Sequence, residues 1–334
     1  MCDYRMNDSR IKTYGGFLPL ELNKGKEWFD GFDNKIAFNS FKSAICYLIS
    51  SRKFNCVYVP YYYCPSTIDA IKKTGCKVCF YHIDEMFDPI LENVEPGCVV
   101  ILVNYFGIKR TIKEYKMPDG VIRVFDFAHS FFEYPVMEKD TYNIYAPKKF
   151  FGIPDGGYLI SESIDFENEK VDESYGAEMI HYLAAAFEEG TEASYNEKKC
   201  VDIKISNENK GMSIISHGIM RNVDYNHVLT TRTNNFRCLN DIFRSKNEIA
   251  IDGITPAYVF PLLVKHGKEI KQCLIRRKIF VPTLWSGEDL NEYGNEFEKH
   301  ISADGIFLPI DQRYGVEDMR YLSDLVENFL NEYT

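Results

Sequence analysis

Apolar residues recur along the first half of the chain at two alternating spacings. Residues 40–51 (SFKSAICYLISS) carry Phe41, Ala44, Ile45 and Leu48 at the spacing of an amphipathic helix. Residues 56–59 form a short apolar run ending at Pro60, as a buried strand would. Residues 66–73 read as a helix stopped by Gly75, and residues 78–83 again as a strand. The run 99–103 (VVILV) is apolar throughout and mostly β-branched, which suits the middle of a parallel sheet. Residues 108–115 cross back, and residues 121–125 return as a strand that ends at Asp126. Short apolar runs follow at 142–146 and 158–160. This rhythm predicts an α/β domain with a large, mostly parallel sheet.

The pattern changes after about residue 165. Residues 173–199 and 224–243 are long, charged and helical by spacing. From about residue 257 come a strand at 258–264, a second around 279–281 and a closing helix at 316–330. That is the pattern of a smaller C-terminal α+β domain. The division expected is residues 1–205 for the large domain and 206–334 for the smaller one, with no internal repeat.

A length of 334 residues accommodates both domains. The net charge of −10 is spread along the chain and repels phosphate backbones. The basic doublets Lys72-Lys73, Lys198-Lys199 and Arg276-Arg277 are short and scattered, so no nucleic-acid partner is expected. No apolar run is long enough for a membrane span, and Met1-Cys2-Asp3-Tyr4-Arg5 begins no signal-like segment. Ten cysteines are too dilute for a disulfide scaffold, which points to reduced thiols and a cytoplasmic protein. Cys76 and Cys79 form a C-x-x-C without a second pair. They read as strand thiols, and no metal is expected.

Three features fall where ligands gather in open α/β sheets, beyond the carboxyl ends of strands. In Asn39-Ser40-Phe41-Lys42-Ser43-Ala44 a helix begins with polar residues, and its free N–H groups suit a phosphate. An ordinary N-cap at Ser40 or Asn39 explains the same residues. In Phe125-Asp126-Phe127-Ala128-His129 a carboxylate follows an apolar strand, placed to meet a cationic ring nitrogen. The plain alternative is a turn-capping Asp and a core histidine. Lys149, within Lys148-Lys149-Phe150-Phe151-Gly152-Ile153-Pro154-Asp155-Gly156-Gly157, has apolar and aromatic surroundings. Desolvation there lowers its pKa and prepares it for Schiff-base chemistry, unless the pair simply lies on the surface before a hairpin. A phosphate turn, an aspartate and a lysine, in that order, are the three anchors that pyridoxal phosphate (PLP) needs.

These stretches resemble the DegT/StrS group of sugar aminotransferases, within the fold-type-I PLP enzymes. The resemblance runs over nearly the whole chain. It also takes in Gly15-Gly16-Phe17, Val59-Pro60-Tyr61-Tyr62-Tyr63-Cys64, the set Asp224, Arg232, Asn235, Phe236 and Leu239, and Leu308-Pro309-Ile310-Asp311-Gln312-Arg313-Tyr314. It implies a fold-type-I PLP-transferase fold and assigns Lys149 as the lysine that carries the cofactor, with Asp126 at the ring nitrogen. His129 falls at the position contacting the ring or its 3-oxygen, and Ser40, Phe41 and Lys42 at the phosphate turn. Three departures stand out. Phe41 replaces a common Gly, and Asn143, Tyr145 and Ala146 occupy the stretch where a serine usually precedes the lysine. Cys64 replaces the aromatic that stacks on the ring, which leaves Tyr63, Tyr62 or the thiol to cover that face.

The resemblance implies an aminotransferase moving an amino group from an amino acid, glutamate above all, to a nucleotide-linked keto sugar. Arg313 is the candidate for a substrate carboxylate or phosphate, or else it forms a surface ion pair. A homodimer with shared sites is implied, and His217-Gly218-Ile219-Met220-Arg221-Asn222 is the segment expected to reach a partner's site. Two other readings stay open: a non-catalytic binding or regulatory protein that keeps the fold, and a PLP-dependent sugar-modifying enzyme of another reaction type. The absence of a G-x-G-x-x-G after the first strand removes a nicotinamide-binding dehydrogenase.

Overall fold

The apolar run Val99–Val103 is buried at every position because it lies at the centre of an eight-stranded sheet. A computed structural model describes residues 14–164, 171–206 and 208–333 of the chain; the expectation drawn from Met1 to Arg5 lies outside them. In chain order the strands are β1 (Lys35–Phe38), β2 (Cys56–Pro60), β3 (Lys77–Ile83), β4 (Pro89–Ile90), β5 (Val99–Val103), β6 (Ile122–Asp126), β7 (Thr141–Tyr145) and β8 (Gly157–Ile160). Across the sheet they run β1-β8-β7-β6-β5-β2-β3-β4. β7, β6, β5, β2 and β3 are mutually parallel, and antiparallel pairings add β8, β1 and β4 at the two edges. The α/β, mostly parallel expectation therefore holds.

Helix α1 (Phe41–Ser51) starts where Ser40 accepts a hydrogen bond from the Ser43 N–H at 3.0 Å, and buries Ala44, Ile45, Leu48 and Ile49. Helix α2 (Pro65–Lys73) starts at a proline whose missing N–H costs nothing in the first turn. Next come α3 (His181–Glu189), α4 (Tyr195–Ser206), α5 (Ile214–Met220) and α6 (Tyr225–Phe243). Strand β9 (Val259–Leu262) leads to α7 (Gly267–Arg276), α8 (Glu288–Tyr293) and α9 (Glu296–Asp304), and β10 (Ile306–Pro309) to α10 (Val316–Tyr333). β9 and β10 pair antiparallel in a small second sheet, with α6, α7 and α10 packed around it.

Several local expectations give way. Residues 173–199 are not one helix. A 3-10 turn, α3 and α4 divide them, and Gly190 breaks the chain at φ 91°, in the left-handed region. Residues 279–281 are not a strand, and β10 takes the place beside β9 instead. Cys56, at the start of β2, and Cys98, just before the neighbouring strand β5, form a disulfide with Cα atoms 4.8 Å apart. The reading of all thiols as reduced fails for that pair, while Cys76 and Cys79 are free.

A buried carboxylate ties the C-terminal elements to the large sheet. Glu298, in the first turn of α9, accepts from the Ile83 N–H (2.9 Å) and the Asn295 N–H (2.8 Å), and lies 3.0 Å from His82 Nδ1. The Asn295 amide donates in turn to the Ile83 carbonyl at 2.8 Å. These bonds hold the start of α9, and the turn between α8 and α9, against the carboxyl end of β3.

Candidate active site

A cavity of about 170 Å3 opens at the carboxyl ends of the parallel strands, the position expected for a ligand in an open α/β sheet. Its walls carry Ser40, Phe41, Lys42, Tyr63, Cys64, Asp126, His129 and Lys149. All the cofactor-binding candidates therefore come to one place, from the start of α1, the turn after β2, the end of β6 and the turn after β7.

Asp126 ends β6, and its buried carboxylate accepts from the Tyr63 hydroxyl at 2.7 Å and the Ala128 N–H at 2.8 Å. Burial raises its pKa, against the opposing pull of the Tyr63 hydrogen bond, the Lys149 charge and the Ala128 amide. Lys149 shifts the other way. Burial lowers its pKa, while Asp126 and Cys64 partly restore it. Its ammonium sits 5.4 Å from the Tyr258 ring centroid. A lysine so placed gives up its proton more readily than one on the surface, which a nucleophilic amine requires.

His129 is buried, and burial with the nearby Lys149 charge pushes its pKa well down, so the ring is neutral. Its Nδ1 accepts from the Phe106 N–H at 3.3 Å, which puts the proton on Nε2. That Nε2 is buried and has no hydrogen-bond partner among the described residues. A buried donor without an acceptor costs free energy, and a ligand oxygen in this cavity would satisfy it.

The phosphate turn is built tightly. The Phe41 and Lys42 N–H groups lie in the first turn of α1, where no intrahelical acceptor exists. The Ser40 and Ser43 hydroxyls lie 2.8 Å apart, and Ser43 donates to the Asn39 side chain at 2.5 Å. The Lys42 amine is tied to Ser206 at 2.6 Å. Gly157, at the start of β8, backs the turn. A Cβ there would fall 2.5 Å from the Ser40 carbonyl and 2.8 Å from the Phe41 nitrogen. Gly157→Ala should therefore push the turn outward and destabilise the fold by roughly 1–3 kcal/mol, readable in denaturant unfolding.

Other candidates are placed differently. Tyr62 is fully buried and spends its hydroxyl on the Leu284 carbonyl at 2.5 Å. Arg313 lies outside this cavity and makes a two-pronged pair with Asp311, at 2.7 and 2.9 Å. It lines a second cavity, of about 480 Å3, which shares Lys149 with the first and adds Lys148, Lys198 and Arg232. Asp202 pairs with Lys148 (2.6 Å) and Lys198 (2.7 Å). Arg232, 1% exposed, donates to Gln312 and to the Ala257 and Tyr258 carbonyls. The segment from His217 to Asn222 is engaged within its own chain. His217 Nδ1 lies 2.7 Å and Arg221 Nε 3.5 Å from buried Glu27, and Asn222 binds the Asn23 and Gly218 carbonyls.

Trp285 also lines the first cavity and was not foreseen from the sequence. One signal was available, since it is one of only two tryptophans in the chain. Nothing local, however, connects the loop before α8 to the turns after β2, β6 and β7.

No protein-family model matches the sequence, and no curated protein matches it. Solved structures do match, over nearly the whole chain. An aminotransferase of the DegT/DnrJ/EryC1/StrS type from Brucella abortus is 14% identical at a TM-score of 0.58, over 90% of this chain and 86% of its own. Helicobacter pylori PseC, an aminotransferase involved in pseudoaminic acid biosynthesis, is 13% identical at 0.63, over 89% and 87%. The E. coli GDP-4-keto-6-deoxy-D-mannose-3-dehydratase, with hydrated PLP bound, is 13% identical at 0.60, over 89% and 88%. These likenesses establish the fold: the chain has the architecture that those enzymes share. Among the described residues, no helix is long and apolar enough to cross a membrane.

Proposed function

We propose that this protein is a PLP-dependent sugar aminotransferase of the DegT/StrS group, carrying its cofactor on Lys149. The observation that carries the reading is the convergence of Asp126, Lys149, the α1 N-terminus and the orphaned His129 Nε2 on one cavity. The residues fit the group. The Phe41 and Lys42 N–H groups with Ser40 would hold the phosphate, Asp126 the ring nitrogen and the His129 Nε2–H the 3-oxygen. When bound, PLP supplies an electron sink and an amino-group carrier.

The chain's own residues do the rest. Asp126, ionised beside a cation, keeps the proton on the ring nitrogen. Lys149, whose amine lies 5.4 Å from the Tyr258 ring centroid, would as a neutral amine take the proton from the donor's α-carbon and then, as the ammonium, deliver it to the cofactor carbon that bears the amino nitrogen. The second cavity, which shares Lys149, is lined by Lys148, Lys198, Arg232 and Arg313 together with Asp311; an anionic substrate there would share these cations with their present carboxylate and carbonyl partners. Glutamate as donor and a nucleotide-linked keto sugar as acceptor suit that charge. We further propose a cytoplasmic homodimer with shared sites, and a domain division at residues 205 and 206.

Purified protein should acquire a visible absorbance band with PLP that borohydride bleaches, and glutamate should discharge the band with release of 2-oxoglutarate. A protein that stays colourless would instead support the non-catalytic reading. A band that amino donors leave untouched would favour a PLP enzyme of another reaction type.

A further inference from the structure

We infer that Trp285, from the C-terminal half of the chain, is the aromatic wall against which the cofactor ring lies. The inference rests on the PLP reading above and supplies what that reading lacks, a π face in place of the one lost at Cys64. Tyr62 is fully buried and lies outside the cavity lining, and Tyr63, which lines it, is tied through its hydroxyl to Asp126, the ring-nitrogen anchor. A thiol at position 64 has no ring to stack.

Trp285 is half-buried and lines the cavity that holds Asp126 and Lys149. Its indole is nearly parallel to the His129 imidazole, with centroids 5.2 Å apart and planes 13° apart. It is also fixed before any ligand arrives. Its carbonyl accepts from the Ser302 hydroxyl at 3.0 Å, and Tyr62 and Tyr105 meet its ring edge-on at 5.1 and 5.8 Å. A large aromatic already held in place stacks on a planar ligand at little entropic cost. The consequence is a cofactor gripped from both halves of the chain, with the nitrogen and phosphate anchors on the large sheet and the ring face on the C-terminal elements.

The test is a PLP titration of the intact protein followed by absorbance and by tryptophan emission. Trp28→Phe leaves Trp285 as the only indole, because Trp28 and Trp285 are the two in the chain. PLP should then quench most of the remaining emission. Trp285→Ala should weaken PLP binding about tenfold or more, and Trp285→Phe by less than about threefold, since a smaller ring keeps part of the stacking. Unquenched emission in Trp28→Phe at saturating PLP would overturn the assignment, and so would an alanine variant that binds as tightly as the parent. In both of those results the parent protein still binds PLP, so the function reading survives. A parent protein that fails to bind PLP overturns both. The emission experiment leaves Trp285 intact, so unquenched emission overturns the assignment even if the alanine variant does not fold.

Discussion

Lys149→Ala should lose covalent cofactor attachment altogether and lower amino transfer at least about 10^3-fold, while the protein still folds. Two effects add here. The amine that bonds the cofactor is gone, and so is the base that takes the proton from the donor's α-carbon. The neighbouring Lys148 cannot substitute, because its ammonium is held 2.6 Å from Asp202 and away from Asp126. Folding should survive, since burial lowers the Lys149 pKa and the charged amine is disfavoured in the folded chain. Mass spectrometry after borohydride reduction gives the clearest reading. The parent and Lys148→Ala should each carry one reduced pyridoxyl adduct at residue 149, and Lys149→Ala none. An adduct on Lys148 in the parent protein would show that the wrong lysine has been assigned.

The large sheet was legible because a parallel strand covered on both faces is apolar at every position, as Val99–Val103 is. Its edge strand β1, with alternating half-buried and buried residues over Lys35–Phe38, gives too short a signal to separate from a loop. The division of residues 173–199 depends on Gly190 and on packing against α5, which helical spacing does not report. The strand expected at 279–281 and the true one at Ile306–Pro309 are both short apolar runs, and only pairing with β9 distinguishes them. The Cys56–Cys98 bridge follows from the β2–β5 adjacency, a matter of strand order rather than of local pattern.

The site divides along the same line. Asp126, Lys149 and Ser40 each terminate or begin a recognisable element, so their direction follows from the element. Trp285 and Tyr258 sit in irregular chain outside any helix or strand; Ser302 of α9 ties the Trp285 carbonyl beside the cavity, and the Tyr258 N–H bonds the Phe106 and His129 carbonyls. The resemblance located the missing aromatic at Cys64, but only the packing identifies a replacement.

Asp126→Asn should separate stability from function. Burial raises the Asp126 pKa above its unfolded value. The stability contributed by such a group is complete below the unfolded pKa and is lost as pH rises through the folded one. Cofactor-free parent protein therefore loses stability across that window and carries an unfavourable buried charge at neutral pH. Asparagine keeps the shape and has nothing to ionise: its oxygen can accept from the Ala128 N–H, while its amide nitrogen donates to the Tyr63 hydroxyl that had donated to the carboxylate. Cofactor-free Asp126→Asn should then melt at or above the parent at pH 7 to 8, and its melting temperature should lack the parent's fall above the carboxylate range. PLP reverses the order. A cation at the ring nitrogen meets a carboxylate in the parent but only an amide in the variant, so the rise in melting temperature on adding PLP should shrink. Amino transfer should drop roughly 10^2–10^3-fold, as when one preorganised charge partner is removed from a developing charge. Equal turnover in parent and variant, or an equal PLP-induced rise in melting temperature, would mean that Asp126 does not face the ring nitrogen.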